Sequence, residues 1–347
     1  MVKVIFMSVI TVGCLIVGIG QSAVPYEENN TMMVLENFKN SFNWADSVSM
    51  KFDISSTPTG FPGKGLWKLV FVFNRDHNRV EWNGNGFIPD SNGNPDPNKN
   101  AILRVIITAR ESVSVVGNPG RPPLGASITT EFKGEKEDML EQDELGGPLF
   151  GRTSGNSHKS VTDLLGESGD LHLRQGQEDV NGISCNVLEG TTKYGKVTAW
   201  VAPSKGYAAL KWKIEKTGDD FINDTPMSKN ELVLWVDQFE CKEIQQIGQY
   251  FIPTKSTFDF ANTAKDGSSV STHCDYTVSD IQLNPDFNTI GAFKIDLPEG
   301  TRVTVPESPG IQYIWKGGKV VPDADAPTFE EIDKMVDELN KKKEADN

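Results

Sequence analysis

The sequence predicts a mainly β protein with a helical lid (α+β), an antiparallel meander that curls into a barrel, part-barrel or sandwich. Two observations carry this. Segments that alternate apolar and polar residues recur from residue 47 almost to the end, separated by short turns rich in Gly, Asn and Asp. Helix-forming segments stand only before the first strand, in the middle and at the C-terminal end.

Residues 26–42 read as a helix, with Met33, Phe38 and Phe42 in a loose apolar stripe, Leu35 nearby, Asn29, Asn30 and Thr31 as caps and Glu36 inside. Residues 47–54 alternate, placing Val48, Met50, Phe52 and Ile54 on one strand face. Residues 66–74 form a strong strand: Trp67, Leu69, Phe71 and Phe73 share one face, and Leu66, Val70 and Val72 the other. A turn at 76–78 leads into a return strand at 79–82 that contains Trp82. Residues 84–100, rich in Gly, Asn, Asp and Pro, read as a loop, and 102–109 with 112–116 as a further hairpin.

The middle is helical in character: an acidic stretch at 134–145, a loop at 146–157, and a short helix at 158–166 carrying Val161, Leu164 and Leu165. Strands resume at 171–173, 183–188, 197–201, 210–214, 232–236, 250–252, 258–260, 276–283 and 293–295. Leu210, Trp212 and Ile214 alternate with Lys211, Lys213 and Glu215, one face buried and one wet. Residues 322–327 read as a linker. Thr328 then caps a helix over 329–343 with Phe329, Ile332, Met335, Val336 and Leu339 on one side.

The chain begins like a secretory signal: Lys3, an uncharged apolar run over 4–19, and small residues around Ser22 and Ala23, where cleavage is expected. The apolar run continues past Cys14, which speaks against a lipid-modified cysteine there. The expected organisation is a signal peptide at 1–23, one domain at 24–321, and a linker with a C-terminal helix at 322–347. Export follows from the leader. It also permits a disulfide, and Cys241 with Cys274 is the expected pair, with Cys185 able to displace either.

The chain has 347 residues, with 37% apolar and 24% charged, a globular balance. Lys and Arg number 34 against 48 Asp and Glu, a net charge of -14, which repels nucleic acid and anionic lipid surfaces. No nucleic-acid partner, metal or cofactor is expected. The hydrolase, zinc, redox and phosphate-binding signatures are absent, and His77, His158, His172 and His273 are far apart. Asp90, Asn92, Asn94 and Asp96 alternate as calcium ligands do, yet Ala101 stands where a bidentate Glu belongs, and a solvated turn is the reading.

The aromatic strands are the most informative feature. A curled sheet has a wide concave face that helices, a ligand or both must fill. The expected ligand-lining residues are Trp67, Leu69, Phe71, Phe73, Trp82, Trp200, Trp235, Phe258 and Phe260.

The motifs Gly195-Lys196-Val197-Thr198-Ala199-Trp200-Val201-Ala202-Pro203, Tyr250-Phe251-Ile252-Pro253-Thr254, Ile281-Gln282-Leu283-Asn284-Pro285-Asp286-Phe287, Leu297-Pro298-Glu299-Gly300-Thr301 and Tyr313-Ile314-Trp315-Lys316-Gly317-Gly318-Lys319 resemble the LolA/LolB-like superfamily. The likeness is greatest to its outer-membrane lipoprotein-sorting-protein-like members. It implies an unclosed barrel, closed off by helices, that holds lipid or lipoprotein acyl chains, with an arginine of the sheet bonding the lid. Arg75, Arg79 and Arg104 are the candidates by location. On this reading the chain is a periplasmic carrier or lipid-binding protein and not an enzyme. A sensor of the same fold that docks an envelope protein is the second reading, and a glycan-acting enzyme with two carboxylates in a cleft the third.

Overall fold

The first strand, β1 (Ser47–Pro58), shows why the sheet has two unlike faces. Val48, Met50, Phe52 and Ile54 are at most 3% exposed, whereas Lys51 and Asp53 stand in solvent. The structure, a computed structural model, describes residues 26–43, 46–59, 65–74, 79–89, 95–107, 112–117, 126–129, 147–152, 155–157, 159–305, 308 and 311–323. The expected leader, the acidic stretch 134–145, the centre of the 90–96 turn and the C-terminal helix lie outside these residues, as do His77, His158 and Arg75.

On one flank of β1 follow β2 (Gly65–Asn74), β3 (Arg79–Pro89), β4 (Pro95–Ile107), β5 (Ser112–Gly117) and β6 (Ala126–Thr129), each antiparallel to the one before. The second half adds β7 (His172–Leu173), β8 (Glu178–Val180), β9 (Ile183–Thr192), β10 (Gly195–Ala202) and β11 (Ala208–Thr217). A small separate hairpin, β12 (Phe221–Ile222) with β13 (Thr225–Pro226), precedes the long strands β14 (Leu232–Ile247), β15 (Tyr250–Ala264) and β16 (Ser269–Leu283). β16 pairs with the free flank of β1, so the two halves of the chain form one sheet. The chain ends with β17 (Arg302–Thr304), β18 (Tyr313–Lys316) and β19 (Lys319–Pro322).

The lateral order is β9, β10, β11, β14, β15, β16, β1 to β6, β17, β18, β19, with β7 and β8 on the outer edge of β9. Among the described residues one pairing, β6 with β17, is parallel, and none joins the two ends. The fold is therefore a large, curved, mainly antiparallel sheet that is not closed into a barrel.

Two helices cover the concave face. α1 (Tyr26–Ser41) buries Val34, Leu35 and Phe38, and α2 (Val161–Glu167) buries Val161, Leu164 and Leu165. They touch each other, and between them they contact β9, β10 and β11. The N-terminus of α2 is closed by a reciprocal cap: Ser160 Oγ accepts from the Asp163 N–H, and Asp163 accepts from the Ser160 N–H. One apolar core runs from these helices across the sheet. A smaller one, of Ile106, Ala126, Ile128, Leu297, Val303 and Trp315, joins β4 and β6 to the C-terminal strands. The link between them starts with α3 (Phe287–Ile290) and crosses the convex face, where Glu81 of β3 accepts from the Phe293 N–H.

Several elements differ from the sequence expectation. Residues 84–100 are mostly strand: their Gly and Asn residues read as loop, yet Phe87 stands opposite Asn100 in a continuing β3–β4 ladder. The Trp67 ring covers Gly86, where an added Cβ would meet it at 2.3 Å, so the glycine is what lets the indole lie across the strand. Residues 250–252 and 258–260 are one strand, β15. Residues 293–295 are not a strand, and Phe293 has a positive φ of 60°. The Cys241–Cys274 disulfide is not formed: Cys185, Cys241 and Cys274 are all free and buried. Cys241 is on β14 and Cys274 on β16, with β15 between them. Two strand spacings of about 4.8 Å exceed the roughly 7 Å that a disulfide spans between Cα atoms.

Candidate functional site

Strand pairing decides which side chains share the concave face. Opposite residues lie on the same side of a sheet, and the side alternates along each strand. Phe73, Phe71, Leu69 and Trp67 stand opposite Val48, Met50, Phe52 and Ile54, so all four of these β2 residues are concave. Trp82 is in register with Phe71 and belongs to the same face; its side chain is outside the described ones. On the other flank Cys274 pairs with Phe258, Phe258 with Phe239, and Phe239 with Trp212. Phe260 and Trp235 follow by alternation along β15 and β14.

The structure thus gathers Trp67, Leu69, Phe71, Phe73, Trp235, Phe258 and Phe260 on one surface, in two groups. The first group is Phe52, Phe71 and Phe73, with Phe150 of a 3-10 turn (Gly147–Phe150) set 5.1 Å from Phe71. The second is Trp212 with Phe239 and Phe258 at 5.8 and 5.9 Å, and Trp235 edge-on to Phe260 at 4.8 Å. Phe71 and Phe258 are 1% and 0% exposed, so the hollow is filled by its own aromatics and the lid. A void bounded by Phe42, Leu149, Trp212, Phe239 and Phe251 measures about 10 Å³, room for about one water.

Trp200 corrects the expectation. On β10, Val197 and Ala199 are the concave residues, opposite Ile214 and Trp212, and Trp200 is on the convex side opposite Lys211. There its indole N–H donates to Glu178 at 2.7 Å and the Lys211 ammonium lies 4.9 Å from its ring. The same convex patch holds Glu189, gripped by Arg174 through two bonds of 2.7 and 2.8 Å, with Lys196 at 2.9 Å. Arg174 holds the Glu189 carboxyl down to about 2. Trp200 is part of this polar mesh and does not line the hollow.

A group that the sequence reading missed completes the concave face. Continuing from Trp212 and Ile214, the next residue on that side of β11 is Lys216, fully buried. Its Nζ donates to the carbonyl of Gly155 at 2.6 Å and to that of Phe221 at 3.1 Å, and lies 5.7 and 5.6 Å from the rings of Tyr194 and Trp235. Burial pushes its pKa down to about 8, against the opposing pull of Asp237 and Asp220. Asp237 is itself fully buried on the same face of the neighbouring strand, opposite Ile214. Gly155 has a φ of 83°, and a Cβ on it would come within 3.3 Å of Trp235. A lysine of the sheet therefore bonds backbone that lies over the sheet. Among the arginine candidates, Arg79 is opposite Asn74, on the convex side, 5.9 Å from the Phe293 ring. The Arg104 side chain is outside those described.

His172 and His273, which the sequence leaves far apart, lie on β7 and β16. His172 sits 3.6 Å from Glu189, and His273 is held between Asp259 and Asp275 at 2.6 and 3.3 Å. Among the described residues, no cluster of three His, Cys, Asp or Glu is arranged to hold a metal.

No family model matches the sequence. No curated protein sequence matches it. Among solved structures the chain is similar to a LolA superfamily protein from Nitrosomonas europaea, at 16% identity and a TM-score of 0.38 over 75% of this chain and 96% of that one. It is also similar to a DUF1329 family protein from Desulfovibrio piger, at 12% identity and a TM-score of 0.35 over 74% and 92%. A third is the lipoprotein LppX from Mycobacterium tuberculosis, at 11% identity and a TM-score of 0.28 over 75% and 98%.

Proposed function

We propose that the chain binds an acyl chain, free or attached to a lipoprotein, on the concave face of its sheet, and carries it in the periplasm. One observation carries this reading. The concave face is lined by aromatic side chains from β2, β11, β14 and β15, and its cover is two short helices and a 3-10 turn, not a second sheet. Such a cover lifts by breaking few backbone bonds. Lys216 is the polar tie between sheet and cover. Burying acyl methylenes yields about 0.8 kcal/mol each, so several suffice for useful affinity once the cover moves.

The test is titration of a fluorescent long-chain fatty-acid probe into delipidated protein. Saturable binding is expected, with Phe71→Glu abolishing it while the β-sheet circular-dichroism signal persists. A probe that stays free in the presence of folded wild-type protein sinks the proposal.

A docking protein of the same fold is the second reading. It is favoured by the filled state of the hollow, in which Phe71 and Phe258 are shielded by protein groups alone. A stable protein partner with no bound lipid would support it.

A further inference from the structure

The lipid-binding reading leaves the headgroup open, and this inference rests on that reading. An ammonium offers three donors. At Lys216 two of them are taken by carbonyls, the π faces of Tyr194 and Trp235 flank the ammonium, and Asp237 is buried on the same face of the neighbouring strand. Beside it, the buried indole Nε1 of Trp235 has no hydrogen-bond partner among the described residues. Two further ammonium groups converge on the same Tyr194 ring, Lys193 at 4.9 Å and Lys159 at 5.6 Å from its centroid. Lys159 is engaged by Glu167 at 2.5 Å, and Lys193 lies 3.8 Å from Asp224. Three ammonium groups thus meet at the Tyr194 ring at this end of the hollow.

The carboxylates whose field reaches Lys216 are Asp237 and Asp220. With Glu167 and Asp224 the carboxylates here number four against three ammonium groups, so an anion is held by direct bonds to Lys216 and the Trp235 N–H and not by the local field, which suits one negative charge better than several. Backbone at Gly155 bonds the Lys216 ammonium and packs beside the Trp235 ring, so its movement with the cover uncovers both side chains. From there the apolar path begins at once, with Trp235 against Phe260.

We propose that the ligand is an acyl chain ending in a single negative charge, a carboxylate or a phosphodiester, and that this oxyanion replaces the Gly155 carbonyl at Lys216 and pairs the Trp235 indole N–H. No bond is made or broken in this exchange beyond the hydrogen bonds named.

The experiment measures binding of hexadecanoic acid, hexadecanol and a hexadecanoyl lysophosphatidylglycerol to the delipidated full chain at neutral pH, below their aggregation thresholds. The expected result is at least one charged ligand binding about tenfold tighter than the alcohol, since charge-assisted hydrogen bonds are the strong ones. Preference for the acid alone marks a free fatty acid as the source, and preference for the phosphodiester alone a phospholipid. Lys216→Met is expected to bring the preferred ligand to the level of the alcohol, and Lys216→Arg to keep the preference. Equal affinity of wild-type protein for acid, phosphodiester and alcohol overturns this inference and leaves the lipid-binding reading standing. No binding of any of the three overturns the lipid-binding reading itself. Should Lys216→Met fail to fold, the wild-type headgroup series decides alone.

Discussion

The buried ammonium of Lys216 should be visible as a pH dependence of stability. Its pKa falls from 10.5 to about 8 in the folded chain because burial disfavours the charged form. Below pH 8 both folded and unfolded states hold the proton, so the group adds no slope. Between pH 8 and 10.5 the folded state has released it and the unfolded state has not, so stability rises with pH through this window. At about 1.4 kcal/mol per unit, the gain is roughly 1.4 kcal/mol by pH 9 and about 3 kcal/mol by pH 10.5. Two thiols work in the opposite sense. Burial raises Cys185 to about 11 and Cys241 to about 12, so the unfolded state ionises first and stability falls above pH 9. The clean quantity is therefore the difference between wild type and Lys216→Met, in which the thiols cancel. Urea unfolding at pH 7, 8 and 9 should show wild type gaining about 1.4 kcal/mol on the variant across that range. A difference that stays flat from pH 7 to 9 would show that burial does not lower the Lys216 pKa and refutes this reasoning.

Three further outcomes follow from the packing. Phe71→Ala removes a ring with 1% exposure set against Phe52, Phe73 and Phe150, and should cost about 3–5 kcal/mol in urea unfolding; a loss under about 1 kcal/mol would mean the ring is not packed between sheet and cover. Ser160→Ala deletes the cap of α2 and should cost about 1 kcal/mol, with faster amide exchange in residues 161–167; unchanged exchange there contradicts the cap. Cys185, Cys241 and Cys274 should resist a thiol reagent in the native chain and all react once it is denatured without reductant; a missing pair of thiols would restore a disulfide.

What the sequence disclosed depended on how far alternation alone reaches. It reaches well on β2, where Trp67, Leu69, Phe71 and Phe73 are bulky on one side and the strand has no bulge, and all four are concave. It does not reach Trp200, because on β10 the small residues Val197 and Ala199 are inside, under α2 and opposite Ile214 and Trp212, and the bulky one is outside. Lys216 was legible by the same rule that found Trp212 and Ile214: it is two residues further along the strand. It went unread because a lysine ends an apolar run in the usual reading, and its partners, the carbonyls of Gly155 and Phe221, are supplied by segments whose position no local pattern encodes. The 84–100 hairpin was lost for a related reason. Its Gly and Asn content has the composition of a loop, and what makes it strand is long-range, the pairing with β2 and the cover that Trp67 lays over Gly86. The absent disulfide is also a question of lateral order, since the sequence places two cysteines on nearby strands without saying that β15 runs between them.

The central claim, that the concave face holds an acyl ligand, is tested most directly by mass spectrometry of organic extracts from natively purified protein. The account predicts an acyl-chain species recovered in near-stoichiometric amount from wild type and depleted from Phe71→Glu. Wild-type protein, folded and extracted in the same way, that yields no lipid above the level of a control protein would contradict it.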